Sequence, residues 1–137
     1  MSNEEILREA VSAFNGEDRS AIDRLLAPDV QMINALSDIR GRPYEGLDGA
    51  YQWVDDLEAT FESIDISVDE VEDVRGDRVL GLGRAKVTGR NSGLEYDREV
   101  GFVMDLREGR ICRIWIFFDH AEARRHSREG LGPESGV

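Results

Sequence analysis

Apolar positions recur with a helical period through the first part of the chain and with a period of two through the second. In residues 2–16, SNEEILREAVSAFNG, Ile6, Ala10 and Phe14 fall near one face. Ser2 and Glu5 stand there in capping-box spacing, and Gly16 supports a stop. EDRSAIDRLLAPDV predicts a second short helix with Ile22, Leu25 and Leu26 inward, ended by Pro28. DVQMINALSD alternates as a strand, with Val30, Met32, Asn34 and Leu36 on one face. From Leu47 the helical rhythm returns, with Ala50, Trp53, Val54, Leu57 and Phe61 on one stripe.

Four strand candidates follow: SIDISVDEVEDV, RVLGLGRAKVT, LEYDREVGFVMDL and RICRIWIFF. The segments between them, RGD, GRNSG and REG, carry the glycine and polar residues of hairpin turns, so the four predict an antiparallel meander. A short helix, HAEARRHSREG, then runs into Gly, Pro and Ser. The predicted order is α-α-β-α-β-β-β-β-α, an α+β layout with helices on one face of a curved antiparallel sheet. One domain spans residues 1–128, and residues 129–137 form a tail expected to fray.

The last strand is apolar on both faces. Cys112, Ile114, Ile116 and Phe118 lie on one, Trp115 and Phe117 on the other. A sheet with one wet face alternates with polar residues, so both faces are expected to be covered. The adjacent strand offers Val79, Gly81, Gly83, Ala85 and Val87 as a smooth face of mostly small residues. These features predict a homodimer through the outer face, with Trp115 and Phe117 near its centre and Val79, Gly81 and Ala85 beside them. The alternative is cover by the chain's own terminal helix.

Composition narrows the partners. The 137 residues suffice for one core. The formal charge of -12 opposes nucleic acid and anionic membrane, which both need a basic surface. No stretch approaches a membrane span, and the acidic start MSNEEILREA lacks the apolar core of a secretory leader. A single cysteine, Cys112, excludes an internal disulfide and fits the cytoplasm. With only two histidines beside it, no zinc-type ligand set forms, and neither a metal nor another cofactor is expected.

Several stretches together resemble SnoaL-like proteins of the nuclear transport factor 2-like superfamily: LLAPDV, PYEGLDGAYQWV, RGDRVLGLGR and DLREGRICRIWIFFDHAEA, in that order. The resemblance spans about residues 3 to 126. It implies a cone-shaped α+β barrel with a pocket between the concave sheet face and the helices, usually in a homodimer. It does not imply an activity. Ketosteroid isomerases of this superfamily carry an oxyanion-stabilising tyrosine where this chain has Ala10, and a protonated aspartate where it has Phe102. Only Asp38, near the position of their base, could survive, and a base without an oxyanion hole lacks the larger electrostatic contribution. The Asp-Arg-Asp set of the epoxide hydrolases fails as well: Arg98 could match, but the acids fall at Gly101 and Ile116. Polyketide cyclases stay open.

The candidate residues each have a plainer reading. Asp119-His120 could be a catalytic pair, yet Asp119 stands directly before a helix with Glu122 in capping-box spacing, so it reads as a cap. Asn34 points a polar amide where apolar residues point, either toward a ligand or to satisfy buried backbone. Arg84 shares its strand face with Leu80 and Leu82, the set resembling a pocket lining, with Asp38 or Glu99 as partner. Asp38 is otherwise a loop acid. Trp53 belongs to a core stripe that would also roof the pocket. RGD at residues 75–77 reads as turn chemistry, and GLGRAKVTGRNSG lacks a phosphate cradle. The expected pocket is lined by Leu80, Leu82, Phe102, Ile114, Ile116 and Phe118, with Asn34 and Arg84 as its polar groups. It suits a small apolar or weakly polar ligand. Three readings follow: a cyclase, isomerase or dehydratase; a non-catalytic binder or accessory dimer; or a structural dimer whose cavity is plugged by Phe102, Phe118 and Trp53.

Overall fold

Ser2 opens the first helix as its spacing predicts. Its Oγ accepts from the Glu5 N–H at 3.1 Å, and its own N–H donates to Glu5 Oε1 at 2.8 Å. The helix, α1, runs Asn3–Asn15 and ends at Gly16. The computed structural model describes residues 1–16 and 18–129, apart from the side chains of Ala35 and Leu36. The tail expected to fray lies, from residue 130 on, outside the described residues.

Helix α2, Ser20–Leu25, starts where Asp18 Oδ1 accepts from the Ser20 N–H at 3.1 Å. It ends three residues before Pro28, which falls instead inside strand β1, Leu26–Ile33. The pairing of β1 with the last strand shifts register between Leu26 and Gln31, and an irregularity of that kind tolerates a proline without a backbone donor. The strand predicted through Leu36 stops at Ile33, because Asn34 and Ser37 start a helix. Ser37 N donates to Asn34 Oδ1 at 3.2 Å, and Asn34 N donates to Ser37 Oγ at 2.8 Å. That six-residue helix, α3 (Ala35–Arg40), and a two-residue strand, β2 (Tyr44–Glu45), are absent from the predicted order. Helix α4 follows as Gly46–Thr60.

The four predicted strands are β3 (Phe61–Asp73), β4 (Arg78–Gly89), β5 (Glu95–Arg107) and β6 (Arg110–Phe117). They pair in sequence and antiparallel. The Glu108-Gly109 turn has φ of 54° and 78°, the positive values of a tight hairpin. The whole sheet runs β2-β1-β6-β5-β4-β3. Because β1 joins β6 in parallel, it is mixed, and it remains unclosed. The main core lies on the face under α1, α2 and α4, with Ile6, Leu7, Val30, Met32, Val79 and Val100 nearly fully buried. Among the described residues no helix is long and apolar enough to cross a membrane.

The last helix, α5 (His120–Arg128), decides the other face. It packs on the convex side, where Leu80, Leu82, Val103 and Ala123 form a second buried cluster with Trp115 and Phe117 against it. Arg78, itself buried, pairs with Asp105 through two contacts of 2.6 and 3.0 Å. Its remaining nitrogen donates to the carbonyls of His126, Ser127 and Glu129 at the end of α5. The terminal helix therefore covers part of the convex face, the alternative that stood beside a second subunit in the sequence reading.

Candidate functional site: an apolar cavity under the helices

A cavity of about 450 Å³ lies between the concave face of the sheet and helices α1, α2 and α4. Its floor is built by alternation along the strands. Met32 of β1, Ile114 and Ile116 of β6, Val100, Phe102 and Met104 of β5, and Ala85 and Val87 of β4 all point inward. The register places Met32 opposite Ile114, Ile114 opposite Met104, and Ile116 opposite Phe102, so these side chains form a continuous surface. The helices bring the roof. Phe14 of α1 stacks on Trp53 of α4 with ring centroids 5.3 Å apart and planes 26° from parallel, and both rings line the cavity.

The polar groups divide by depth. Asn34, 7% exposed, lines the cavity among buried apolar residues. Its Oδ1 is engaged with the Ser37 N–H, which ties its orientation to the first turn of α3. Asp18, Arg19, Glu58, Glu62, Ser63 and Arg90 lie on the more exposed rim. Much of that charge is committed within the protein. Arg19 pairs with Asp55 at 2.8 Å and with Glu58 at 3.0 Å. Arg90 donates to the carbonyls of Glu58 and Phe61. The Ser20 hydroxyl, 2.5 Å from Asp18, holds that carboxyl below the usual range, so it stays ionised and is poorly suited to donate a proton. Tyr44 shows the clearest shift: burial first, then its hydrogen bond to Asp56, push it up to about 12. It ties β2 to α4 at 2.6 Å and does not line the cavity.

Of the residues expected in the pocket, Asn34, Trp53, Phe102, Ile114, Ile116 and Phe118 line the cavity. Phe102, Phe118 and Trp53 stand in its wall and leave the space open. Arg84 is on the opposite face. It is exposed and donates to Asp97 Oδ1 at 2.8 Å, pairing with neither Asp38 nor Glu99. Leu80 and Leu82 share that face, under α5. The expectation for β4 was therefore inverted, because α5 gives its leucine face a buried environment of its own. Val79, Gly81 and Ala85 are correspondingly not an outer interface. Val79 and Ala85 belong to the core under the helices, and a Cβ at Gly81 would stand 3.0 Å from the Leu7 side chain of α1. Trp115 and Phe117 do lie on the convex face, half-buried, with their rings 4.4 and 5.4 Å from that of His126. Asp38 is exposed on α3 and lines a separate shallow depression with Arg42 and Pro43. Asp119 caps α5, accepting from the N–H groups of Ala121 and Glu122. Sequence reasoning missed Phe14, Met104, Arg19 and Arg90 as lining residues. Phe14 carried a signal, since it shares a helix face with Ile6 and Ala10. Among the described residues no group of three His, Cys, Asp or Glu side chains could hold a metal ion.

A family model described as a SnoaL-like domain matches residues 7–114. The chain belongs to the SnoaL-like family. Solved structures share its fold. An NTF2-like protein of unknown function from Burkholderia pseudomallei K96243 is 26% identical, with 91% of this chain and 97% of that one covered and a TM-score of 0.78. TerC, co-crystallized with polyporic acid, is 18% identical over 93% and 98% of the two chains, with a TM-score of 0.76. A protein from Catenulispora acidiphila DSM 44928 with a ketosteroid isomerase-like fold, in complex with trimethylamine, is 16% identical over 98% of each chain, with a TM-score of 0.73. Among curated proteins, none matches the sequence. Ala10 and Phe102, where the resemblance places the isomerase tyrosine and protonated aspartate, both line the cavity as apolar residues. Neither side chain supplies a hydrogen-bond donor there.

Proposed function

We propose that this SnoaL-like protein binds a mostly apolar small molecule in the cavity beneath α1, α2 and α4, without acid-base chemistry of its own. One observation carries the reading: the space is open, its buried wall is apolar except for the Asn34 amide, and the titratable lining residues sit on the rim. A general acid or base must reach the reacting atom before its pKa matters. Rim carboxylates held by Ser20 and Arg19 do not meet that condition for a molecule seated among Met32, Phe102 and Ile114. About 450 Å³ falls in the range of small-molecule sites, and apolar walls with few polar groups are their usual composition. The cytoplasm is the proposed location. Association of two chains through the convex face is a separate proposal that rests on the exposed parts of Trp115 and Phe117, and sedimentation at micromolar concentration tests it.

The binding reading is tested through Trp53, one of two tryptophans. A Trp115→Phe variant leaves Trp53 as the sole reporter, in the cavity wall. Titration with naphthalene is expected to give a saturable change in its emission. Ala13→Phe, which adds a ring where the lining has a methyl group, is expected to weaken that binding by about tenfold or more while the fold persists. A folded protein whose Trp53 emission shows no saturable response would remove the proposal.

A further inference from the structure

Resting on that binding reading, we infer that the site takes an amphipathic carboxylate, its apolar body in the cavity and its carboxylate left at the mouth, paired with Arg98. Strand alternation leads to that residue. Val100, Phe102 and Met104 of β5 point into the cavity, and the next position outward on the same row is Arg98. It stands opposite Ala85 of β4, another lining residue. Burial falls off along the row: Phe102 and Val100 are buried, whereas Arg98 is exposed. Its guanidinium lies 5.2 Å over the ring of Phe118, which lines the cavity and is itself open to solvent. The cation is thus held at the edge where the apolar lining meets water.

The second support is which charges are already matched. Among the described residues Arg98 has no ion pair and no hydrogen bond to a carboxylate. The acids on either side of it in the chain face the convex surface: Asp97 is taken by Arg84, and Glu99 accepts from the His120 N–H at 3.0 Å. The arginines that line the cavity, Arg19 and Arg90, are engaged by Asp55, Glu58 and two backbone carbonyls. The rim acids Asp18, Glu58 and Glu62 stand at α2, α4 and β3, and the sheet order sets β4 between β3 and the row that carries Arg98. Deeper in, the wall around Met32, Phe102 and Ile114 carries no cation among the described residues. A carboxylate carried inward would lose its hydration without compensation. One left at the mouth keeps water and gains the planar, two-pronged donor of a guanidinium.

The experiment compares naphthalene, naphthylbutanoate and the matching neutral amide, naphthylbutanamide, by Trp53 emission at neutral pH in the Trp115→Phe background. The carboxylate is expected to bind about fivefold tighter than the amide in low salt, the upper end for an exposed ion pair, and the preference to shrink as salt is added. The chain's formal charge of -12 repels an anion overall, so such a preference requires a local cation. Arg98→Met keeps an apolar stem over Phe118 and removes the charge; it is expected to erase the preference. Because Arg98 is exposed, the fold should persist. Arg125→Met, at an exposed position of α5 that does not line the cavity, changes the net charge equally and is expected to preserve the preference. A carboxylate that binds no tighter than the amide would overturn the inference while naphthalene binding still upheld the cavity reading. A preference that survives Arg98→Met, or that disappears in Arg125→Met, would do the same. Failure of all three probes to bind the folded protein would overturn both.

Discussion

Asp119 stands at the end of β6 with an extended backbone, φ -153° and ψ 120°, and its carboxylate closes the first turn of α5. Oδ1 accepts from the Ala121 N–H at 2.8 Å and from the Glu122 N–H at 3.3 Å, satisfying donors that have no partner within the helix. The neighbouring His120 is turned to the sheet, its Nε2 2.8 Å from the Gly83 carbonyl, and neither side chain lines the cavity. Asp119→Ala is therefore expected to cost about 1 kcal/mol of stability and Asp119→Ser much less, as measured by denaturant unfolding. Ligand binding should survive both changes. A serine variant that folds normally but loses binding a hundredfold would give Asp119 a functional role.

At the scale of elements, the two apolar faces of β4 are assigned by what packs on each. A Cβ at Gly81 would meet Leu7 on the concave side, whereas a Cβ at Gly101, on the neighbouring strand, would stand only 2.4 Å from Ala123 Cβ on the convex side. The sheet carries helices on both surfaces, and a glycine allows close approach in each case. Gly101→Ala is expected to push α5 outward at a cost of about 1 to 3 kcal/mol, the range for overpacking a well-filled contact. Thermal unfolding of that variant, together with increased proteolysis within α5, provides the check. An unchanged melting temperature would mean that α5 is not seated against Gly101. The alternation of the strands made their inward and outward sets legible, since Ile114, Ile116 and Phe118 do share a face. Which set of β4 faced the helices was not legible, because Leu80 and Leu82 look as apolar as any pocket lining.

For the whole molecule, α5 is the piece that turns a half-covered sheet into a two-sided core. Leu80, Leu82 and Val103 are 1%, 3% and 0% exposed with the helix in place. The Arg78–Asp105 pair is locked to the last carbonyls of the same helix. A chain ending at Asp119 would expose that cluster together with Trp115 and Phe117, and is expected to self-associate in sedimentation velocity at micromolar concentration. A monodisperse truncated protein with an unchanged melting temperature would show that the convex face tolerates water. Local signals in the sequence determined helices α1, α2, α4 and α5, the four-strand meander, the Ser2 and Asp119 caps, and the inward placement of Asn34, Trp53 and Phe102, each within its own segment. Each depends on spacing within a few residues, through hydrogen bonds or side-chain alternation that the local chain itself provides. Tertiary structure alone decided the side of the sheet that α5 would cover, the burial of Val79 and Ala85, the outward placement of Arg84 and the exclusion of Asp38 from the cavity. Those outcomes depend on contacts between segments tens of residues apart, such as Gly81 with Leu7 and Gly101 with Ala123, where close packing leaves room for one arrangement.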